Sequence, residues 1–142
     1  MAHVFMYERL HNAKCPAQDF LLNEIEKPMR DRFRGQCDAL TKQDAPRYCN
    51  RERFCPLHRN GKPLWEFKEG AYRLYCFRKE TTTGKVIIVL FHGWKKSKKG
   101  KTEMEDREIT KAVSLYKEFW GEYPEETHER LGNKQHAARA GH

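Results

Sequence analysis

Between Leu64 and His92 the chain alternates in a period of two, the spacing at which successive side chains point to opposite faces of a strand. "LWEFKE" (64–69) and "AYRLYCFRKE" (71–80) are separated by a tight turn around Glu69-Gly70. "TTTG" (81–84) joins the second to "KVIIVLFH" (85–92). The pattern predicts a three-stranded antiparallel meander. In its middle strand Arg73, Tyr75 and Phe77 share one face, and Tyr72, Leu74, Cys76 and Arg78 the other. The last strand is apolar on both faces, which predicts a central or covered position.

Before the meander the period lengthens. Leu21, Ile25, Met29, Phe33, Cys37 and Leu40 recur in steps of four and three, an apolar stripe along helical segments from about 16 to 42. Pro16 is placed as at a helix start, and Pro28 predicts two helices or one kinked helix. "HVFMYERL" (3–10) has the composition of an opening strand, while 44–63, with Pro46, Pro56, Gly61 and Pro63, reads as irregular connection. A last helix from about 103 to 120 is signalled by Glu103, Glu105, Asp106 and Glu108 in its first turns. Its stripe is Ile109, Ala112, Val113, Tyr116 and Phe119 or Trp120. The expected fold is therefore α+β: a small antiparallel sheet, N-terminal helices packed on one face, and a C-terminal helix. One domain spans 1–120, followed by a flexible tail over 121–142.

Charge sharpens this picture. The formal charge is +8, but between Lys42 and Lys101 sixteen Lys/Arg face five Asp/Glu, a net of +11. The positive field belongs to the middle of the chain and attracts polyanions, nucleic acid before anionic membrane. No apolar stretch is long enough for a membrane helix, and the N-terminus lacks a signal-peptide apolar region, so a cytoplasmic protein is expected. Five cysteines, an odd number, argue against a disulfide framework.

Candidate chemistry gathers where the apolar strand ends in "HGWKKSKKGK" (92–101). Lys95, Lys96, Lys98, Lys99 and Lys101 form a cluster able to neutralise phosphates, and Trp94 is a candidate for base stacking. His92 can exchange a proton near neutral pH. Cutting RNA without a metal requires a group to take the 2′-OH proton, another to protonate the leaving 5′-oxygen, and cations on the phosphate. Against this stand a solvated lysine loop, Trp94 as a core plug and His92 as a packed strand-end residue. Cys37, Cys49, Cys55 and His58 offer donors for a tetrahedral zinc site, but only Cys55 and His58 are closely spaced; buried or incidental thiols are the preferred reading, and no metal site is expected. No phosphate-binding glycine loop, Ser-His-Asp set or H-E-x-x-H helix occurs. No cofactor is implied.

The order of two helices, "LWEFKEGAYRLYCF", "KVIIVLFHGWKKSKK" and "EITKAVSLYKEF" resembles the HigB-like, phage-derived branch of the RelE/ParE toxin superfamily, over about residues 16–120. The resemblance implies a compact sheet with helices on one side and a toxin that cuts mRNA, usually on the ribosome. It also implies a helix-turn-helix antitoxin protein as partner. Arg73 matches the arginine of the family's "YR" strand, and His92, Trp94, Lys95 and Lys96 match its "HGF-Lys" corner. On this reading Arg73 stabilises transition-state charge, His92 or Tyr75 transfers a proton, and Lys68, Arg78, Trp94, Lys95, Lys96, Lys98 and Lys99 contact RNA. Two other readings remain: a nucleic-acid-binding or regulatory module without cleavage, and an inhibitor that binds an acidic host protein.

Overall fold

A computed structural model describes residues 2–42, 52–57, 64–96, 102–131 and 138–140. The chain is α+β. Strand β1 (Ala2–Tyr7) leads to a short helix α1 (Pro16–Asp19), a π-helical turn (Phe20–Glu24) and helix α2 (Lys27–Lys42). Strands β2 (Phe54–Pro56), β3 (Leu64–Glu69), β4 (Tyr72–Glu80) and β5 (Val86–Lys95) follow, then helices α3 (Thr102–Glu122) and α4 (Glu125–Leu131) and strand β6 (Ala138–Ala140). The strands form one sheet in the order β2-β3-β4-β5-β1-β6.

The meander forms as its alternation requires, with β3, β4 and β5 antiparallel and Gly70 supplying the positive φ of 56° at the first turn. The sheet as a whole is not antiparallel. β1 lies parallel to β5, with Ala2 opposite Val86 and Met6 opposite Leu90, and β6 is parallel to β1. Alternation within a strand fixes its two faces but not the direction of a distant partner, so this pairing had no local signal.

Nor are helices confined to one face. Every residue from Val86 to Trp94 is buried, so β5 needs cover on both sides. α1, the π-helical turn and α2 cover one face, where Val4, Phe20, Phe33, Leu74, Ile88 and Leu90 meet. α3 covers the other, over Phe5, Phe77, Val89, Phe91, Ile109 and Phe119. Pro28 sits in the first turn of α2, a place that tolerates its missing N–H, and the break falls just before it, where Ile25 is extended.

Three elements differ from expectation, β2, α4 and β6, the last being a strand within the stretch expected to be a tail. β2 occupies part of the stretch read as irregular, pairing Phe54 with Phe67. The expected tail begins with the last residues of α3 and continues as helix α4, in which Leu131 is buried and His128 fully buried. The His128 ring stacks on Phe119 at 5.2 Å, its Nδ1 lies 3.4 Å from Lys79 Nζ, and its Nε2 bonds the Tyr123 carbonyl. Among the described residues no helix is long and apolar enough to cross a membrane.

One close approach ties α1 to the sheet. Gly93 lies under the ring of Phe20, which is 1% exposed, and a Cβ added at Gly93 would fall inside that ring's contact distance. Gly93→Ala should cost ~1–3 kcal/mol by overpacking. Urea denaturation checks this, and an unchanged midpoint would mean that Phe20 has room to move.

Candidate nucleic-acid interface

The feature that builds the site is a bulge. β4 and β5 pair Cys76 with Leu90 but Tyr75 with His92, so Phe91 is an extra residue in β5. Unbroken alternation would put His92 on the α2 side with Leu90 and Ile88. The added residue turns His92 to the α3 side, the re-aiming for which bulges are known. β5 then continues to Lys95, so His92-Gly93-Trp94-Lys95 is strand, held beside Tyr75, Leu74, Arg73 and Tyr72. Arg73, Tyr75, His92 and Trp94 thus share one face, joined by Glu66 and Lys68 of β3 through the pairs Glu66–Tyr75 and Lys68–Arg73.

His92 is 8% exposed, and its Nε2 lies 3.0 Å from Glu108 Oε2 on α3. The carboxylate accepts, so the proton sits on Nε2 and Nδ1 keeps a lone pair; Nδ1 is buried and has no hydrogen-bond partner. Burial pushes the imidazole below its ordinary value, against the smaller upward pull of Glu108. A cavity of ≈ 510 Å³ between α1 and α3 is lined by His92, Trp94, Arg9, Glu108, Lys111 and Glu118, among others.

Tyr75 and Trp94 do not reach the surface. Trp94 Nε1–H donates to the Tyr75 hydroxyl at 2.8 Å, the residues are 9% and 1% exposed, and burial raises the Tyr75 phenol. In the free protein the pair is therefore a buried polar bond, and neither the Tyr75 hydroxyl expected to transfer a proton nor the Trp94 ring expected to stack on a base is open to solvent. Arg78 is also displaced from the group. It lies on the opposite face, its guanidinium 4.9 Å over the Trp65 ring.

The cations of the face are matched by glutamates that the charge count along the sequence did not place. Glu66 Oε1 lies 3.7 Å from Arg73 Nε and 3.6 Å from Lys68 Nζ. Arg73 also donates to the Gly70 and Tyr72 carbonyls at 2.8 and 3.0 Å. Burial raises the Glu66 carboxyl, with Lys68 and Arg73 pulling it back. Lys96 pairs with Glu105 at 2.7 Å and Lys111 with Glu108 at 3.1 Å, while Lys95 is exposed with its ammonium 5.7 Å from the Tyr72 ring. The spacing of three between Glu105 and Glu108 on α3 is the signal in the sequence for these partners, since it puts both on one side of the helix, beyond their complement to the helix dipole. Lys98, Lys99 and Lys101 lie outside the described residues.

A second cluster fastens α3 to the end of β1. Arg9 spans both Glu118 oxygens at 2.8 and 2.9 Å, and the Tyr7 hydroxyl, with its single proton, lies within hydrogen-bond distance of both Glu118 and Glu122. Donor atoms of His11, Glu118 and Glu122 lie within 4.8 Å of one another, the one grouping among the described residues with metal-ligand geometry. Because the guanidinium already occupies Glu118, a metal there would have to displace it. Of the suggested zinc donors, Cys49 and His58 lie outside the described residues, and burial pushes the Cys37 thiol up to about 12.

No family model matches this chain, and no curated protein matches it.

The pH dependence of stability follows from His92. Its pKa is lower folded than unfolded, so near and below 6.5 the unfolded chain binds more protons, and stability falls as pH drops through that window. Glu66, raised on folding, acts with the opposite sign: its contribution is lost as pH rises through its folded value, above 4.5. Comparison with His92→Gln isolates the histidine. On acidification from about pH 8 to about pH 5, wild type should lose stability relative to the variant in thermal melts. A constant difference would show that His92 titrates normally.

Proposed function

We propose that this protein is the toxin of a toxin–antitoxin pair and cuts mRNA without a metal, on translating ribosomes, as its resemblance to the HigB-like branch of the RelE/ParE superfamily implies. The observation that carries the reading is the bulge of β5, which brings a glutamate-held histidine with an unpaired ring nitrogen onto the face that holds Arg73 and Lys68. The succession of N-terminal helices, the meander β3–β5 and helix α3, with β2 added before the meander, supports the reading. A helix-turn-helix antitoxin is the partner proposed with it.

In this mechanism Nδ1 of His92 takes the proton of a ribose 2′-OH. The 2′-oxygen bonds to phosphorus, the phosphorus–5′-oxygen bond breaks, and the leaving oxygen takes a proton from a lysine ammonium or solvent. Arg73 and Lys68, exchanging Glu66 for the phosphate, stabilise the added charge. His92 is 8% exposed in the free protein, so RNA reaches Nδ1 by displacing the side chains that cover it while Glu108 stays on Nε2.

A non-catalytic nucleic-acid-binding module is the second reading. It is favoured by the burial of Tyr75 and Trp94 and by the glutamates that already balance Arg73, Lys68 and Lys96.

Expression from a tightly controlled promoter separates the two. Wild type should arrest growth and leave mRNA fragments with 2′,3′-cyclic phosphate ends. His92→Gln and Arg73→Ala should each reduce cleavage by about 10²-fold or more. Normal growth and intact mRNA with the wild type would sink the toxin reading, whereas salt-sensitive RNA binding without cyclic phosphate would select the second.

A further inference from the structure

On the other side of the β3–β4 turn lies a cleft of ≈ 570 Å³ between α2 and the start of β2, lined by Arg32, Gly35, Gln36, Ala39, Arg53 and Glu69. Two of these residues are buried and polar: Gln36 is 6% and Glu69 8% exposed. Gln36 Nε2 donates to the Lys68 carbonyl at 3.0 Å and to Glu69 Oε1 at 3.1 Å. Those two bonds fix the amide, and they leave Gln36 Oε1 buried with no partner. The Glu69 carboxylate has this single hydrogen bond and no ion pair among the described residues.

A nearly buried carboxylate with one donor, next to an orphaned amide oxygen, is an incomplete arrangement. Such groups call for a ligand that presents an edge of N–H donors. Arg32 and Arg53 flank the same cleft, both exposed. They repel a cationic ligand and favour one that also carries phosphate or a flat π face. Among the parts of RNA, guanine meets both demands: its N1–H and 2-amino group are adjacent donors that match a carboxylate, and its nucleotide brings the anion.

Position links the cleft to the proposed RNA face. Lys68 and Glu69 are neighbours in β3 whose side chains point to opposite faces, Lys68 toward Arg73 and Glu69 toward α2. The backbone of Lys68 also bonds Arg53 O at 2.7 Å. A strand crossing this end of the sheet would therefore pass from Lys68 and Arg73 to Arg53 and Arg32.

We infer that the cleft formed by Gln36, Glu69, Arg32 and Arg53 is a guanine-binding subsite for single-stranded RNA. The inference rests on the RNA reading above and adds a base preference to it.

The test uses the full chain and short single-stranded 2′-O-methyl RNAs, which resist cleavage, identical but for guanine, inosine or adenine at one position. Inosine lacks the 2-amino group. Fluorescence anisotropy should show the guanine strand bound about tenfold more tightly than either of the others. Glu69→Gln, which keeps an acceptor for Gln36, should erase that difference and leave the salt dependence of binding unchanged. Equal binding of the three strands by wild type, or a preference that survives in Glu69→Gln, would overturn the subsite while leaving the RNA reading in place. Absence of binding to all three would count against the RNA reading itself. Titration with guanosine and adenosine monophosphates then decides the cleft: selective guanine binding that Glu69→Gln abolishes supports it, and no binding of either overturns it.

Discussion

Burial of β5 on both faces is the constraint from which the rest of the molecule follows. A strand with the sequence "VIIVLF" cannot leave either face in water, since each large apolar side chain removed from solvent contributes roughly 1.5–3 kcal/mol. Its backbone groups are paired with β4 on one side and β1 on the other, and its faces take α2 and α3. The contacts of Arg9 and Tyr7 with Glu118 and Glu122 fasten α3 to the end of β1. That tether keeps α3 over the face on which His92 emerges.

Different ion pairs in this protein have different meanings, and geometry separates them. Arg9 and Glu118 form a two-bond contact of 2.8 and 2.9 Å with both side chains partly shielded, the arrangement in which a charge pair holds structure. Arg73 and Lys68 approach one oxygen of Glu66 at 3.7 and 3.6 Å. Neither contact has the length of a strong hydrogen bond. A phosphate competing for Arg73 and Lys68 gives up less than one competing for Arg9. The net charge of the middle of the chain therefore overstates what this face offers a polyanion, but does not cancel it.

The sheet's three meander strands and both major helical regions were legible because each rests on a local period: two for 64–92, and three to four for 21–40 and 109–120. What was not legible depends on pairings or packing without such a period. β2 is three residues long, and α4, "EETHERL", has no apolar stripe; it is held by the single buried ring of His128 and by Leu131. Of the candidate site, the shared face of Arg73, Tyr75, His92 and Trp94 follows from the register, but composition could not tell that Tyr75 and Trp94 would satisfy each other inside the core. Arg78 was separable from the sequence itself, since its parity already placed it on the face opposite Arg73.

The same end of the sheet now accounts for the lysines that follow the apolar strand. Pairing between β1 and β5 stops at Met6 and Leu90, whereas β5 runs on to Lys95 beside β4. Past Leu90 the strand has lost its parallel neighbour, and the chain replaces it with the Phe20 ring over Gly93 on one face and the His92–Glu108 contact on the other. The strand can thus remain extended up to the point where Lys95 reaches water, with the preceding residues still buried. A rigid extension of this kind holds its terminal charges at a fixed spacing from Arg73 and Lys68, which a loop of the same composition would not. Rigid spacing favours a ligand whose own charges repeat at fixed intervals, and a phosphodiester backbone has that property.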